Sequence, residues 1–321
     1  MNDRPSPALP RRPLVVFNPS KAADPASRKR EILAAIERAG LPEPRWLETT
    51  TEDPGTTMTA AGVADGADAV LACGGDGTVR ACLSALAGTG VPLAILAAGT
   101  GNLLAGNLDI PDDLDQALSL VRDGALRCID TGSCGDERFA VMGGLGFDAA
   151  MIEGADEGLK TRIGWAAYIL SGFRNLRRPP ALYRLTFDDG TVVERRAQGV
   201  LIGNVGRLEA GLPVLPDARP DDGLIDVAVL APTSLRDWAA LGARIVARRR
   251  PQRRVLETFR TSRLRIEATP AQPIEFDGDV CGTEHDVTVR VDPGALHVYA
   301  PPVKDGAPAT LASTPAAEAV R

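Results

Sequence analysis

Three glycines flank a single carboxylate in residues 71–83, which read LACGGDGTVRACL. Gly74, Gly75 and Gly77 can adopt positive φ angles, and they let another molecule approach the main chain closely. The segment lies between an apolar run and a predicted helix, so it would expose unpaired N–H groups at a helix start, where anions are favoured. The spacing therefore predicts a phosphate-binding turn, with Asp76 as its only ionisable side chain.

A second glycine turn follows in residues 97–106, which read AAGTGNLLAG. Neither turn is a P-loop, because no Gly-Lys-Ser/Thr follows the glycines at the required spacing. Neither turn completes the dinucleotide-binding fingerprint: the first lacks a third glycine, and in the second Leu104 stands in its place. These observations argue against a Rossmann-type dehydrogenase.

Together the two turns predict a site for a triphosphate. Turns that follow neighbouring parallel strands would bring two sets of N–H groups to one crevice at the carboxyl ends of the strands, with the hydroxyls of Thr78 and Thr100. A carboxylate beside phosphates is unfavourable on its own. Asp76 therefore implies a metal ion or an acceptor hydroxyl that is to be deprotonated.

The elements that position these turns are predicted from the apolar pattern of the first part of the chain. Short apolar runs predict strands at 13–19, 45–51, 67–73 and 92–98. Helical spacing between the runs predicts helices at 25–40, 54–65, 79–86 and 112–124. Apolar strands that alternate with helices are typical of a parallel sheet covered on both faces.

Further along the chain the pattern changes to short alternating runs. Residues 183–196 predict a hairpin turned at Asp189-Gly190, more strands follow, and helices are predicted near 160–176 and 234–249. This part is expected to be a mostly antiparallel β-sandwich or open barrel. The predicted fold class is thus an α/β nucleotide-binding domain followed by an all-β domain, with an ATP cleft between them.

The predicted domain boundaries follow from these patterns. The nucleotide-binding domain covers residues 13–130, with about 299–305 packing back on it, and the β-rich domain covers 131–298. Residues 1–12 are rich in Pro and Arg, and residues 306–321 are rich in Pro, Ala and Thr. Both ends are therefore predicted to be flexible tails.

The composition argues against several classes of function. The net charge is −6, which disfavours a nucleic-acid partner. Five cysteines without a CxxC pair and two histidines favour neither a disulfide framework nor a zinc site. The first residues lack the apolar region of a secretory signal, and no apolar run is long enough to span a bilayer. We therefore expect a cytoplasmic protein.

The segments GGDGT at 74–78 and GTGN at 99–102 resemble the diacylglycerol kinase catalytic domain family, whose superfamily includes sphingosine kinases and NAD kinases. GGDG turns are shared with NAD kinases and phosphofructokinases, so they do not define the substrate. Four later segments occur in the order seen in bacterial soluble lipid kinases: GGLGFDAAM at 143–151, LKTRIGWAAYILSGFRNL at 159–176, PDARPDDGLIDVAVL at 216–230 and EFDGDV at 275–280. The resemblance covers residues 14–301.

The resemblance implies roles for individual residues. It implies that Asp76 and Asp279 are catalytic, and Asp279 falls where the family has its proton acceptor. Asp222, with main-chain carbonyls near Arg219 and Leu224, corresponds to a magnesium site. The implied ATP-binding residues are Asn18, Pro19, Ser20, Lys21, Thr51, Gly74, Gly75, Asp76, Gly77, Thr78, Thr100, Gly101 and Asn102.

The sequence departs from the family pattern at two positions. Asp279 stands where the family most often has the glutamate of an Asp-Gly-Glu motif, so the side chain is one methylene shorter and keeps its charge. Leu103 stands where many members have an acidic residue after Gly-Thr-Gly-Asn. Without the resemblance, the segment around Asp279 predicts only a hairpin turned at Asp277-Gly278.

The resemblance implies an enzyme that uses ATP and Mg²⁺ to transfer the γ-phosphoryl group to the hydroxyl of a lipid such as diacylglycerol. Two alternatives stay open: a kinase of a soluble substrate such as NAD, and a nucleotide-binding regulatory module with little turnover, which the departure at Asp279 keeps open. The implied partner is a lipid alcohol at a membrane surface, reached by transient peripheral binding at the inner face. A homodimer is also left open.

An arginine-rich segment, RIVARRRPQRR at 244–254, has two interpretations. The ordinary interpretation is a solvated helix end and loop. The alternative is contact with anionic lipid headgroups, to which each arginine near the surface would contribute about 1 kcal/mol.

Overall fold

The computed structural model describes residues 9–99, 101–146, 179–207, 213–247 and 252–303. Three predictions lie outside these residues: a phosphate contact from Thr100, a helix at 160–176 and a flexible tail at 306–321. Part of the arginine-rich segment also lies outside them.

Four parallel strands form the N-terminal part of the sheet, in the order β2–β1–β3–β4. They are β1 (Pro13–Phe17), β2 (Arg45–Glu48), β3 (Ala69–Gly74) and β4 (Leu93–Ala97). Every residue of β1 and β3 is buried, which is typical of strands in a parallel sheet covered on both faces. The parallel sheet predicted from the apolar runs is confirmed.

Five helices accompany these strands in the described residues: α1 (Pro25–Arg38), α2 (Thr56–Ala64), α3 (Asp76–Leu86), α4 (Leu103–Asn107) and α5 (Leu114–Arg122). Side-chain caps start two of them, since Asp24 accepts the N–H of Ser27 before α1 and Asp113 accepts the N–H of Gln116 before α5. Helix α3 begins earlier than the predicted residue 79, because the glycine turn passes directly into it. The sequence pattern did not predict α4.

The remaining described elements are ten strands and one helix: β5 (Leu126–Cys134), β6 (Glu137–Phe139), β7 (Met142–Leu145), β8 (Ala181–Phe187), β9 (Val192–Ala197), β10 (Gly199–Gly203), β11 (Ile225–Leu230), α6 (Leu235–Val246), β12 (Leu256–Thr261), β13 (Arg263–Phe276) and β14 (Asp279–Tyr299). The predicted hairpin at 183–196 is confirmed as β8 and β9. The helix predicted at 234–249 is confirmed as α6.

All strands in the described part of the chain belong to one 14-stranded sheet. Its antiparallel part runs in the order β12–β11–β10–β7–β13–β14, with β8 paired to β13 and β5 paired to β14. Strands β13 and β14 form a hairpin that turns at Asp277-Gly278, as predicted. Near its end β14 also pairs with β4 in parallel, at Val298 and Leu93. This strand therefore connects the antiparallel and parallel parts of the sheet.

The buried apolar residues form two clusters. The first contains the parallel strands and their helices, and it includes Leu296 and Tyr299 from the end of β14. The second lies in the antiparallel part, where the rings of Phe139 and Phe276 stack with centroids 5.1 Å apart, and it includes Val289 of β14. Strand β14 thus contributes to both cores.

Of the predicted N-terminal tail at 1–12, residues 1–8 lie outside the described residues, while Arg11 and Arg12 are bonded to the rest of the protein. The main-chain N–H groups of Arg11 and Arg12 donate to the carboxylate of Asp68 at 2.7 and 2.8 Å. The guanidinium of Arg12 also donates to the main-chain carbonyl of Asp65 at 2.7 Å. These bonds hold the chain where it enters β1.

Candidate active site

The carboxyl ends of the parallel strands bring several predicted residues to one edge of the sheet. Asn18 follows β1, Thr51 lies in the loop after β2, Gly75 follows β3 and Gly99 lies in the loop after β4. In parallel sheets covered on both faces, ligands bind outside this edge. The topology therefore gathers the predicted ATP-binding residues where a nucleotide is expected.

The two glycine turns lie in direct contact. A Cβ added to Gly99 would be 2.9 Å from the Cα of Gly75, closer than real Cβ contacts allow. A Cβ added to Gly77 would meet no other atom within 4 Å, so this residue faces open space at the start of α3. The first contact requires glycine for packing, whereas the second position leaves room for a ligand beside the main chain.

A network of polar side chains stabilises the first glycine turn. The amide of Asn18 donates to the hydroxyl of Thr78 at 3.2 Å, and its side-chain oxygen accepts from the N–H and hydroxyl of Ser20 at 3.0 and 2.7 Å. Residues Pro19–Lys21 form a short 3-10 turn after this asparagine. Thr78 is buried against Gly74, so its hydroxyl supports the turn rather than opening toward solvent.

Lys21 is the cation beside the first turn. A Cβ added to Gly75 would lie 3.7 Å from the Cε of Lys21, and the charge of Lys21 lowers the pKa of Asp76. The exposed hydroxyl of Thr51 donates to the carboxylate of Glu52 at 2.7 Å, and its place in the ATP site stays a prediction. The structure brings Lys21 against the glycine turns.

The second turn is shaped by Asn102. This residue has a positive φ of 45°, a conformation that asparagine tolerates better than most residues. Its side chain accepts the N–H of Gly99 at 3.2 Å and donates to the carbonyl of the same glycine at 2.9 Å. With Gly101 between them, these bonds close the turn that precedes α4. Asn102 thus has a shaping role that the motif alone did not reveal.

The carboxylate of Asp76 connects the two turns. One of its oxygens accepts the N–H of Leu103 at 2.7 Å, at the start of α4. Burial raises the pKa of Asp76, although the amides of Leu103 and Asn102 and the charge of Lys21 partly oppose this effect. A half-buried carboxylate with a raised pKa is suited to accept a proton from a hydroxyl group.

Asp76 lines a small recess between α3, α4 and the segment that joins β6 to β7. Arg80 and Asp277 are the other charged residues of this recess. Its apolar lining consists of Val79, Leu83, Leu103, Leu104, Ala140 and Val141. The carboxylate that shares the recess with Asp76 is thus Asp277 and not the predicted Asp279.

Asp277 is a partly buried residue that fixes the hairpin turn, and sequence reasoning treated it only as a turn residue. Its carboxylate accepts the consecutive N–H groups of Ala140, Val141 and Met142 at 3.0, 3.1 and 2.9 Å. Burial raises the pKa of Asp277 to about 6, and these three N–H groups limit the rise. The turn of the β13–β14 hairpin is therefore fixed to the strand beside it. A turn signal in the sequence could locate this residue but not its partners.

Asp279, the other predicted catalytic residue, pairs with Arg80. Its carboxylate accepts from the Nη1 of Arg80 at 2.5 Å, and 62% of its side chain is exposed. Arg80 also pairs with Glu137. Sequence reasoning missed Arg80, although its position four residues after Asp76 on one helix would have placed both side chains on the same face.

The predicted magnesium site lies in the loop before β11. The carboxylate of Asp222 accepts the N–H of Leu224 at 3.1 Å and pairs with Arg260. Nearby, the buried Oδ2 of Asp226 has no hydrogen bond and lies 3.5 Å from the Nε of Arg260, and burial raises the pKa of this residue to about 7. Asp222 and Asp226 thus share one guanidinium, and a hard cation such as Mg²⁺ fits carboxylate oxygens placed in this way.

Acidic, histidine and cysteine side chains do not by themselves build a metal site among the residues that the structure describes, since no three of them converge. The predicted site differs because two of its three ligands, at Arg219 and Leu224, are main-chain carbonyls. Its oxygen-only donor set is the chemistry that Mg²⁺ prefers, and Arg260 competes for the carboxylate of Asp222.

Within the described ranges, no helix combines the length and the hydropathy that a membrane crossing needs.

Two family models match the chain and together cover most of it. Residues 12–134 match the diacylglycerol kinase catalytic domain, and residues 142–300 match the YegS C-terminal domain, described as an NAD kinase beta sandwich-like domain. These matches and the curated relatives define the class: the chain is a phosphotransferase with an alcohol group as acceptor. It belongs to the diacylglycerol kinase and YegS-like lipid kinase family.

Curated relatives agree with this assignment. A protein of Pseudomonas syringae pv. syringae named "Probable lipid kinase YegS-like" is 33% identical over 254 residues, covering 74% of this chain and 79% of its own. A diacylglycerol kinase of Mycobacterium tuberculosis is 29% identical over 272 residues, covering 81% and 78%. An uncharacterized protein of Synechocystis is 30% identical over 252 residues, covering 74% of this chain, which spans only 56% of that relative.

Solved structures share the fold. A diacylglycerol kinase structure from Bacillus anthracis superposes with a TM-score of 0.73 at 21% identity, covering 92% of this chain and 99% of that one. Yeast NADH kinase, solved with NADH, superposes with a TM-score of 0.52 at 12% identity, covering 90% and 82%. The predicted α/β plus β-sandwich fold class is thereby confirmed.

Proposed function

We propose that this protein is an ATP- and Mg²⁺-dependent lipid kinase, which transfers the γ-phosphoryl group of ATP to the hydroxyl of a lipid such as diacylglycerol. The observation that carries the proposal is the contact between the two glycine turns, with the carboxylate of Asp76 bonded across them to Leu103. This arrangement combines the main-chain N–H groups of the two turns, which can bind phosphate, with one carboxylate, Asp76, which can accept a proton. Family membership supplies the reaction class.

The nucleotide phosphates would lie along the N–H groups of the glycine turns. Gly77 faces open space there, so a phosphate oxygen could approach the main chain without meeting a side chain. Lys21 would supply the positive charge that the phosphates need, because it already lies against Gly75. Asn18 and Asn102 would act indirectly: Asn18 fixes the shape of the first turn and Asn102 that of the second.

Mg²⁺ would be held by the carboxylate of Asp222 and the main-chain carbonyls of Arg219 and Leu224. When bound, the ion supplies charge neutralisation to its acidic loop. Because Arg260 pairs with the same carboxylate, its contact with Asp222 would weaken when the ion binds. Asp226, the second residue of β11, also pairs with Arg260 and offers a further oxygen ligand beside this loop.

The transfer step needs a group that accepts the proton of the lipid hydroxyl. The hydroxyl oxygen forms a bond to the γ-phosphorus, the bond to the bridging oxygen of ADP breaks, and the proton passes to a carboxylate. Asp76 and Asp279 are the two candidates, because Asp76 is the first residue of α3 and Asp279 pairs with Arg80 of the same helix. Most of the rate enhancement would come from positioning and charge stabilisation.

The proposed partner is a lipid alcohol at a membrane surface, met by peripheral and transient binding. The name of the Mycobacterium tuberculosis relative supports diacylglycerol as the first acceptor to test. A soluble acceptor is the second candidate, and the fold shared with yeast NADH kinase is the observation in its favour.

A labelling screen separates these candidates. Purified protein would be incubated with Mg²⁺ and γ-labelled ATP, together with mixed micelles of diacylglycerol, phosphatidylglycerol, a sphingoid base or an undecaprenyl-type alcohol, or with NAD. Label in a chloroform-extractable lipid supports the proposal. Label only in NADP would replace it with the soluble acceptor, and no label in any arm would favour a nucleotide-binding module.

A further inference from the structure

Arg80 links the two parts of the protein in the cleft beside Asp76. It lies on α3 of the nucleotide-binding part, and only 12% of its side chain is exposed. Its Nη1 donates to Asp279 at 2.5 Å, its Nη2 pairs with Glu137, and its Nε donates to the carbonyl of Arg138 at 3.3 Å. One guanidinium therefore contacts both β6 and β14.

The geometry of these bonds needs an arginine. A guanidinium presents several N–H groups in a fixed plane, so it can hold two carboxylates and a carbonyl at once. A lysine ammonium at residue 80 would keep the charge but could not fix both acids in one plane. The arrangement thus constrains direction as well as charge.

Asp279 has little else to hold its side chain in place. It is the first residue of β14, it follows Gly278 with its positive φ of 90°, and most of its side chain is exposed. An exposed carboxylate samples several rotamers, and an ion pair with one solvent-exposed partner contributes little to folding stability. The contact with Arg80 is therefore more important for where the carboxylate points than for stability.

Arg80 also interacts with the two acids that precede Asp279. Its charge lowers the pKa values of Glu275 and Asp277, both of which are raised overall by burial. Alternate residues of one strand and turn would otherwise place three carboxylates near one another with no cation between them. The arginine therefore lets this acidic turn lie against α3.

We propose that Arg80 is a positioning residue for Asp279. Arg80 and Asp76 lie on the same helix, α3, so the bond from Arg80 holds the carboxylate of Asp279 in a fixed direction relative to Asp76. The inference rests on the proposed kinase function, since it assigns Arg80 a role in the same transfer step. It also explains how an aspartate can serve at a position where its side chain is one methylene short.

A double-mutant cycle tests the proposal. Arg80→Met, Asp279→Ala and the double variant would be compared with wild type for kcat, KM for ATP and melting temperature, using the lipid labelled in the screen. We expect Arg80→Met to lower kcat about 10- to 100-fold with KM for ATP little changed. In the Asp279→Ala background, the same substitution should change kcat no further.

Two more variants keep the test sharp. Arg80→Lys retains the charge that the buried acids need, so it should fold even if Arg80→Met does not, and it should show an intermediate kcat. Arg265→Met is the matched control, because Arg265 pairs with Asp286 at 2.6 Å on the same hairpin without touching Arg80 or Asp279. Its kcat should equal that of wild type.

The outcomes separate two kinds of failure. Wild-type protein that labels no acceptor would refute the proposed function and, with it, the role of Arg80. Wild-type turnover combined with independent, multiplying losses from Arg80→Met and Asp279→Ala would refute the positioning role alone. Full kcat in both Arg80→Met and Arg80→Lys would refute it as well.

Discussion

Asp76 is the residue whose removal should affect chemistry most and folding least. Asp76→Asn keeps an oxygen that can accept the N–H of Leu103, and it removes only the charge and the proton-accepting ability. We expect kcat to fall by about 10²- to 10⁴-fold while the melting temperature stays near that of wild type. Paired activity and thermal unfolding measurements would check this.

The control for this prediction is Asp113→Asn. Asp113 also accepts a main-chain N–H at a helix start, that of Gln116, but on the surface before α5. This variant should lose a little stability and no activity. Wild-type turnover by Asp76→Asn would remove Asp76 from the proposed mechanism.

Glu275 should make stability depend on pH. Its pKa is raised from 4.5 to about 7: burial is the main cause, Asp277 and Asp279 add to the rise, and the N–H of Gly278 and the charge of Arg80 oppose it. Between these values the folded state binds more protons than the unfolded state. The contribution of Glu275 to the free energy of unfolding is therefore complete below about pH 4.5 and is lost as the pH rises through about 7.

Glu275→Gln should remove much of this fall. We expect the variant to exceed wild type in free energy of unfolding at pH 8, by a difference on the order of 2 kcal/mol, and to match it near pH 4.5. Urea unfolding at both pH values is the measurement. An unchanged pH dependence would mean that the carboxylate ionises without cost. The pKa of Asp277 is also raised, so the free energy of unfolding of Glu275→Gln should still fall with pH, but less steeply than that of wild type.

At the scale of single residues, the sequence located motif members better than their supports. Asp76 and Asp279 stand in recognisable short segments, so their candidacy needed no structure. Asp277 and Arg80 act through bonds to residues distant in the chain, such as Ala140 and Glu137. No local spacing encodes such partners, which is why sequence reasoning treated Asp277 as a turn residue and missed Arg80.

At the scale of elements, the two βα turns should act as one unit. Gly99→Ala would place a Cβ 2.9 Å from the Cα of Gly75, so the turns must move apart. We expect KM for ATP to rise roughly 10-fold, because the phosphate donors of the two turns lose their alignment. Steady-state kinetics and a thermal-shift titration with Mg–ATP would measure the effect.

Gly106→Ala provides the comparison for this prediction. A Cβ on Gly106 in α4 would meet nothing within 4 Å, and alanine favours a helix over glycine by about 1 kcal/mol. This variant should keep its KM for ATP. Equal KM values for Gly99→Ala and wild type would show that the contact between the turns does not matter for binding.

Element positions were predictable to within a few residues where the apolar pattern was strong. The buried runs of β1, β3 and β4 gave strands directly. Helix α4 was missed because its five residues, Leu103–Asn107, are too few to show a period, and because Gly101 and Asn102 signal a turn. The early start of α3 was missed for a related reason: Gly75 and Gly77 predict a turn, although the helix already begins at Asp76.

At the scale of the whole molecule, Asp130 holds several segments together. Its carboxylate oxygens accept the N–H of Gly223 and the N–H of Gly294, each at 2.7 Å. Its own N–H donates to the carbonyl of Pro220 at 2.6 Å, and its carbonyl accepts from the buried amide of Asn204. The loop of the proposed magnesium site is thereby fixed to β5 and β14.

Asp130→Asn should destabilise the protein. An asparagine can accept one of the two N–H groups, and it turns its own NH₂ toward the other donor. We expect a loss of about 1–3 kcal/mol in the free energy of unfolding, measured with urea. The surface variant Asp113→Asn serves again as the reference. A loss no larger than in that reference would contradict the role of Asp130 as a junction.

The order of an α/β part before a β part could be predicted from the change in hydrophobic period, but the union of their sheets could not. That union depends on β14 reaching β4, where Val298 lies opposite Leu93. Both segments are apolar and strand-forming, and nothing in either one specifies the other as its neighbour. Pairing between distant strands is decided by the packed whole.

Strand β14 is the last described strand in the chain, so it is synthesised after the strands that it joins. A ribosome completes β4 long before it completes β14, so on the nascent chain β4 has β3 on one side and an open edge on the other. Open edges invite pairing with other chains, and contacts between residues distant in sequence form slowly. The N-terminal half must therefore wait for the last strand, and during translation its exposed edge is where aggregation or chaperone binding would begin.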